Sequence, residues 1–421
     1  MMVDNLFGAV KPLYYLSRIF GLAPFSFNPK TSKFTSALYD RIYPLVLVTA
    51  AFVLGVLATT ERDEATHFIP TVDLNDMIEI VMVTSSGTLI LLKWFLSNYK
   101  IVKDILNKII EIDGVLLTDS VAEFRKVFRI LMVEIAVLVP TLLFLFVCDT
   151  WTWKKSMKIF DLYYFAAPYP YYTVVVMSET QFFNLVLLLK CRYARVNQRL
   201  RSVWQRAESA SFLKRSTPWT DMVATTDDGR PSRRLFIDTV MRQAKNVDDS
   251  GEVHLLRQVH GQLFDTAGLV NEAFGLPVLS AVAAHFIHCV SLLNLILALK
   301  LQYQPIPPSQ VDLLMLNLLS WVVLHVSCVL AVTWCCSSAV AEASQTAVLV
   351  HKALLPNAGA GAAGAQLRDQ LQLFSQQLLH HRLRFTAAGV FTVDLTILLS
   401  MAGAITTYLV IYLQFNDTKN I

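Results

Sequence analysis

Three observations predict that this 421-residue chain is an all-α membrane protein with seven transmembrane helices. Hydrophobic residues make up 54% of it and charged ones 16%, with a mean hydropathy of +0.48. Soluble domains carry about 25% charged residues. Seven apolar stretches reach or approach the ~20 residues that a helix needs to cross the hydrocarbon. Finally, 28 of the 36 lysines and arginines fall on one side of those stretches and six on the other. The positive-inside rule then gives a cytoplasmic N-terminus and, after an odd number of spans, an extracellular C-terminus. Leaving out the long fourth-to-fifth connection, whose length weakens its vote, the bias still stands at 15 against six.

The elements follow in order. Residues 1–42 form a cytoplasmic arm. Its start, MMVDNLFGAVKPLYYLSRIFGLAPF, is interrupted by Lys11 and Arg18 and lacks the continuous apolar core of a signal peptide, so it reads as an interfacial amphipathic segment. Residues 43–335 hold spans one to six, at 43–60, 75–96, 127–147, 169–190, 274–299 and 312–335. Within them, 191–273 is a long basic cytoplasmic connection. Residues 191–213 continue span four as a helix, 216–234 are polar with Pro and Gly and read as a loop, and apolar residues at helical spacing resume from Glu252. Residues 336–391 are cytoplasmic helices of an anchor region: an inward extension of span six (336–354), the linker NAGAGAAGA (357–365) and an amphipathic helix over 366–385. Together these helical extensions predict an anchor bundle below the membrane. The seventh span takes 392–415, and 416–421 is an extracellular tail bearing the sequon Asn416-Asp417-Thr418.

Enzyme chemistry finds no foothold. The six cysteines show no metal or redox spacing and read as small packing residues. His380-His381 lacks further ligands at zinc spacing, and NAGAGAAGA has neither the lysine nor the strand of a phosphate loop. Cys191-Arg192-Tyr193 has the Arg-Tyr of the acid-Arg-Tyr receptor motif without its acid. No cofactor, metal or nucleic-acid partner is expected; membrane lipid is. Glu134 and Glu179 lie inside spans, where an acid is either functional or structurally paired.

The last span carries the sharpest pattern. Ser400, Gly403, Thr407, Ile411 and Gln414 are spaced 3, 4, 4 and 3, which puts them on one helix face. Two readings fit: a water-lined path, which needs several copies around an axis, or small and polar residues that glue the helix to its neighbours.

Thr407-Tyr408, then LVIYL, then Gln414-Phe415 resembles the TYhhhhhQF signature of the insect gustatory receptors, in the same place, at the end of the seventh span. The segment KPLYYLSRIFGLAPF is similar to the one preceding that family's first span, and the topology and length agree along the whole chain. The resemblance implies a ligand-gated, non-selective cation channel, a homotetramer or heterotetramer whose pore is lined by four copies of the last span. Phe415 would be the apolar gate, Gln414 would make contacts between subunits, and Thr407 and Tyr408 would lie deeper. The family's sugar-receptor branch usually has an acid after the TY, where this chain has Leu409, so a sugar receptor is disfavoured.

A small organic ligand is then expected in the outer halves of spans two to six. Topology puts Glu79, Tyr169, Tyr171, Tyr172, His288, Asn317, Trp321 and His325 there, with Trp321 the leading candidate. For Trp321 the alternative is plain aromatic packing between helices, and for each histidine it is core or interfacial packing. The runner-up class is a metabotropic seven-span receptor, which the charge bias disfavours. A transporter would need paired broken helices, which the sequence does not show.

Overall fold

A computed structural model describes residues 5–37, 40, 42–60, 70–117, 120–156, 167–220, 249–301, 308–354 and 362–417. Its helices are α1 (Leu6–Ile19), α2 (Ile42–Thr60), α3 (Pro70–Lys93), α4 (Tyr99–Leu116), α5 (Ser120–Ser156), α6 (Tyr169–Thr220), α7 (Asp249–Lys300), α8 (Pro308–Leu354), α9 (Ala362–His380) and α10 (Thr396–Asp417). Two small antiparallel hairpins complete it: β1 (Ser26–Asn28) with β2 (Lys33–Thr35), and β3 (Thr386–Ala387) with β4 (Phe391–Thr392). Among the described residues six helices are long and apolar enough to cross a membrane, and a shorter apolar helix, Ile42–Leu57, accompanies them.

Helices α6 and α7 have 52 residues each and α8 has 47. At 1.5 Å per residue each is roughly 70–80 Å long, more than twice the hydrocarbon thickness. Their most apolar parts fit the bilayer, so the rest projects beyond it at the end where α6 finishes and α7 begins. The largest apolar core gathers there and in the adjoining half of the spans, with Val196, Leu200, Val253, Leu256, Leu263 and Phe374 buried in it. Polar residues lock the same region. Arg192 donates two hydrogen bonds to Asp113, at 2.8 and 2.6 Å, and both side chains are almost fully buried. Asn197 donates to Glu342 and accepts from Thr346.

One junction shows how the sequence forces a contact. Pro277 inside α7 has no N–H, so the carbonyl of Ala273, four residues earlier, has no helical donor. Between α3 and α4 a π-helical turn, Trp94–Asn98, brings Asn98 against it, and the side-chain amide donates to that carbonyl at 2.9 Å. Lys93 donates to the neighbouring carbonyl of Glu272 at 2.8 Å. Higher up, α3 approaches α6 closely: a Cβ on Gly87 would lie 2.9 Å from Tyr171 Cδ1 and 3.2 Å from its Cα.

Several boundaries differ from the sequence reading. Helix α1 does not lie free at an interface: Leu6, Ala9, Val10, Leu13 and Tyr14 are buried in the chain's own core, beside a ring cluster of Phe7, Phe25, Phe27 and Phe34. The first residues of the expected 216–234 loop belong to α6, which runs to Thr220; residues 221–234 lie outside the described ones. The linker 357–365 falls mostly outside them too. Helix α9 stops at His380 rather than 385, and the last helix begins at Thr396 rather than 392. Between them the β3–β4 hairpin turns through Ala388 (φ 50°) and Gly389 (φ 76°).

That hairpin seats the last helix. Asn271 of α7 acts as a strand surrogate, donating to Arg384 O at 2.7 Å and accepting from the Thr386 N–H at 3.1 Å. A Cβ on Gly275 would meet Ala388 N at 2.9 Å, so only glycine lets the turn lie on α7. Asp394 then caps α10, accepting from the Thr396 N–H at 2.9 Å and the Thr396 hydroxyl at 2.5 Å. Those bonds, with one from the Thr392 hydroxyl, hold its carboxyl below the usual carboxylate range.

Candidate functional site

Five of the eight expected pocket residues, Glu79, Tyr172, His288, Trp321 and His325, meet in one cluster between α3, α6, α7 and α8. Spacing explains it: Asn317, Trp321 and His325 are four apart on one face of α8, and His285 and His288 are three apart on α7. The Tyr172 hydroxyl lies 2.9 Å from Glu79 Oε1 and 2.9 Å from His288 Nδ1, and His288 Nδ1 lies 2.8 Å from Glu79 Oε1. The ring of His288 stacks on that of His325, centroids 5.0 Å apart and planes 7° from parallel. Trp321 stacks on His325 at 5.9 Å and tilts against Tyr172 at 5.3 Å. Glu79, the polar anchor, is half-buried; Tyr172, His288, Trp321 and His325 are buried.

Hydrogen-bond accounting fixes donors and acceptors. Glu79 accepts from the single Tyr172 proton, so His288 Nδ1 carries its own and points it at the same pair. The other ring nitrogen, His288 Nε2, is buried without a partner, as is His325 Nε2. Asn317 lies one layer away, donating to Asp149 Oδ1 at 2.8 Å, while its Oδ1 is buried without a partner. Tyr169 donates to Asp149 Oδ2 at 2.7 Å, and its ring stacks on Phe146 at 4.4 Å, which in turn meets Trp321 at 5.9 Å. Tyr171, by contrast, faces α2 and α3: its hydroxyl donates to Ala51 O. Phe146 and Asp149 escaped sequence reasoning. Phe146 is one apolar residue among many in its span, and Asp149 falls just beyond the 127–147 stretch.

On the other side of His325 lies a second polar group. His285 Nδ1 is 2.8 Å from His325 Nδ1, and His285 Nε2 is 2.9 Å from Glu179 Oε2. Cys328, three residues past His325 on α8, offers its sulfur to the same place: the ligand atoms of Glu179, His285 and Cys328 lie within 4.8 Å of one another. Glu134, the other acid within a span, accepts from Asn184 at 2.8 Å. His381 stacks on Phe264, centroids 4.4 Å apart. A separate cavity of about 510 Å³ opens between the N-terminal arm and α2, lined by Tyr15, Arg18, Asp40 and Tyr43 among others. It shares no residue with the ring cluster and has none of its histidines or acids in spans.

The last helix is exposed on several faces, with Ala402, Ala404, Thr406 and Val410 among its exposed residues. Ser400, Gly403, Thr407, Ile411 and Gln414 are all exposed, while Tyr408 is half-buried. The hydroxyls of Ser400 and Thr407 donate to the carbonyls four residues back, Thr396 O at 3.1 Å and Gly403 O at 2.9 Å. They are therefore compatible with an apolar surrounding. Phe415 falls in the last turn of α10, and its side chain lies outside the described ones, as do residues 418–421 of the tail. Only 6% of the most apolar stretch of α10 is buried, against 78% for α6.

Comparison with known proteins gives a consistent result. A family model described as 7tm Chemosensory receptor matches residues 10–419. Putative gustatory receptor 28a of Drosophila melanogaster is 24% identical over 441 residues, covering 99% of this chain and 93% of that protein. Putative gustatory receptor 28b of the same fly is 23% identical over 435 residues, covering 99% and 87%. Among solved structures, the insect olfactory receptor OR5 from Machilis hrabei superposes with a TM-score of 0.64 at 13% identity, covering 96% of this chain and 97% of that one. The same receptor in complex with eugenol superposes with a TM-score of 0.61 at 15% identity, covering 97% and 98%. These likenesses show the fold.

Proposed function

The chain belongs to the 7tm chemosensory receptor family, and from that premise we propose that this multi-pass plasma-membrane chemoreceptor is a ligand-gated, non-selective cation channel. The observation that carries the reading is α10. Among the described residues α10, an apolar helix with a polar stripe, packs mainly on α7 and α8, and most of its surface has its cover left to lipid or to neighbouring copies. Four copies around an axis, as the resemblance to gustatory receptors implies, supply it: the stripe from Ser400 to Gln414 faces the axis and water, and the other sides of α10 meet neighbouring copies. Phe415 closes the path, and Gln414 bonds across the subunit boundary. The basic ends of α6, α7 and α8 face the cytoplasm and form the anchor.

The ligand site is the ring cluster. Trp321, Tyr172 and Phe146 supply flat apolar surface, and His288 Nε2, His325 Nε2 and Asn317 Oδ1 supply unspent polar atoms. That combination suits a small aromatic or heteroaromatic compound with one or two polar groups. The fold relative in complex with eugenol, a phenolic ether, is an instance of that class. Ligand opens the channel only if it binds the open arrangement of these helices more tightly than the closed one.

Patch-clamp recording of cells expressing the full chain, challenged with bitter and other aromatic compounds, tests the reading. A current that needs no G protein, altered by Phe415→Ala and shifted to higher ligand concentration by Trp321→Ala, is expected. Second-messenger signals that survive Phe415→Ala, with no current at confirmed surface expression and with related subunits co-expressed, overturn it.

A further inference from the structure

We propose that Glu179, His285 and Cys328 form a binding site for a transition-metal dication of the Zn²⁺ class, holding α6, α7 and α8 together beneath the ring cluster. Three independent features lead there. The first is the donor set. Carboxylate, imidazole and thiolate are the ligands that Zn²⁺ takes at about 2.0–2.3 Å in tetrahedral sites, and here their ligand atoms already lie within 4.8 Å of one another. Such bond lengths put tetrahedral ligands roughly 3.3–3.8 Å apart, so small side-chain adjustments close the site.

The second is charge. Glu179 and His285 are buried in the apolar parts of their helices. A dication bound by one carboxylate, one thiolate and a neutral imidazole is neutral overall, which removes the cost of an isolated acid at membrane depth. As the sulfur–metal bond forms, the Cys328 proton leaves to solvent, and so does any proton on the ligating histidine nitrogen.

The third is the shell around the ligands. His285 Nε2 faces Glu179 at 2.9 Å, while its Nδ1 faces His325 Nδ1 at 2.8 Å. When Nε2 binds metal, Nδ1–H donates to His325, the outer hydrogen bond that metal-ligating histidines almost always make. His325 is held in place by its contacts with the rings of His288 and Trp321. Without metal, the same four groups form a plain carboxylate–imidazole–imidazole chain beside an unused thiol, so the two accounts differ in what the sulfur does.

The test reads the sulfur directly and needs no ion current. The full chain, purified in detergent and stripped with a chelator, is titrated with Co²⁺ and separately with Zn²⁺, the latter counted by mass spectrometry of the metal. One metal per chain and a near-ultraviolet thiolate-to-cobalt band, with the strong visible bands of tetrahedral cobalt, are expected. Cys328→Ser abolishes the thiolate band and weakens binding at least about tenfold, whereas Cys336→Ser, a buried thiol elsewhere on α8, changes neither. His325→Phe keeps the band and weakens binding roughly 10–100-fold. No metal above background in the wild type, or a thiolate band that survives Cys328→Ser, overturns the proposal. The wild-type spectrum decides even if a variant fails to fold.

Discussion

Replacing Asn98 by alanine takes away the one side-chain donor, among the described residues, to a carbonyl that Pro277 has deprived of its helical partner. Asn98, Ala273 and Pro277 are all buried, so water does not take its place. A buried acceptor left unsatisfied costs about 1–3 kcal/mol. The loss is tempered because Asn98 Oδ1 is itself buried without a partner, and that liability disappears with the side chain. About 2 kcal/mol is therefore expected for Asn98→Ala. In a Pro277→Ala background the restored N–H of residue 277 bonds to Ala273 O as in any helix. There Asn98→Ala costs about 1 kcal/mol or less, because no carbonyl is orphaned. The coupling between the two sites is thus about 1 kcal/mol or more, well above the ~0.3–0.5 kcal/mol scatter of independent sites. Equilibrium unfolding of the four proteins by SDS in mixed micelles gives the cycle. Equal costs of Asn98→Ala in both backgrounds would refute the assignment of Asn98 as the proline's complement.

Three further outcomes follow from the same geometry. Arg192→Met alone leaves Asp113 buried and uncompensated and costs about 3–5 kcal/mol, while Arg192→Met with Asp113→Leu regains most of it; the same SDS titration reads both. Gly87→Ala drives a methyl into Tyr171 backbone and costs about 1–3 kcal/mol, whereas Gly403→Ala, with nothing within 4 Å of its Cβ, is neutral or gains up to ~1 kcal/mol in the isolated chain. A change in current from Gly403→Ala at unchanged stability would come from neighbouring copies. Asp394→Ala removes the cap of α10 and costs about 1 kcal/mol, while Asp394→Asn keeps most of it. Because the folded state holds the Asp394 carboxyl below its ordinary range, its share of stability is full above the unfolded pKa and fades only as pH falls through the lower folded value. An α10 amide protection factor, corrected for the intrinsic exchange rate, that drops on acidification to pH 5 would contradict this.

Much of this architecture was legible in the residues because hydrocarbon is a strict solvent. Uninterrupted apolar length announced the long helices, and lysine and arginine marked their projecting ends. Topology put Asn317, Trp321 and His325 in the outer half of span six, and helical spacing put the stripe from Ser400 to Gln414 on one face of the last. What stayed hidden depends on contacts between distant segments. Arg192 looked like half of a motif because its acid, Asp113, lies 79 residues earlier on α4. Cys328 read as packing because a sulfur's company is invisible until α6 and α7 are placed beside it. The hairpin at 386–392 was mistaken for helix because its flanks are amphipathic. The cue was local all the same: Phe-Thr before and Val-Phe-Thr-Val after Ala-Ala-Gly is strand, turn and strand.

The two sites are joined by the helices they share. Helix α7 carries His285 and His288 of the polar cluster, and ten to seventeen residues earlier Asn271 and Gly275 grip the hairpin that starts α10. Helix α8 carries Trp321, His325 and Cys328 and also touches α10. Between the two regions α7 is interrupted once, at Pro277, where Asn98 holds the broken turn to α3. A ligand that spreads Trp321 from Tyr172, or a metal that draws His285 toward Cys328, therefore acts on the same two helices that seat α10, with one pinned joint between. Loosening that joint by Asn98→Ala changes the coupling of the two sites without touching either. On the channel reading, it alters the ligand concentration for half-maximal current while leaving open-channel conductance as it was. A changed conductance would place Asn98 in the conduction path, where the geometry does not put it.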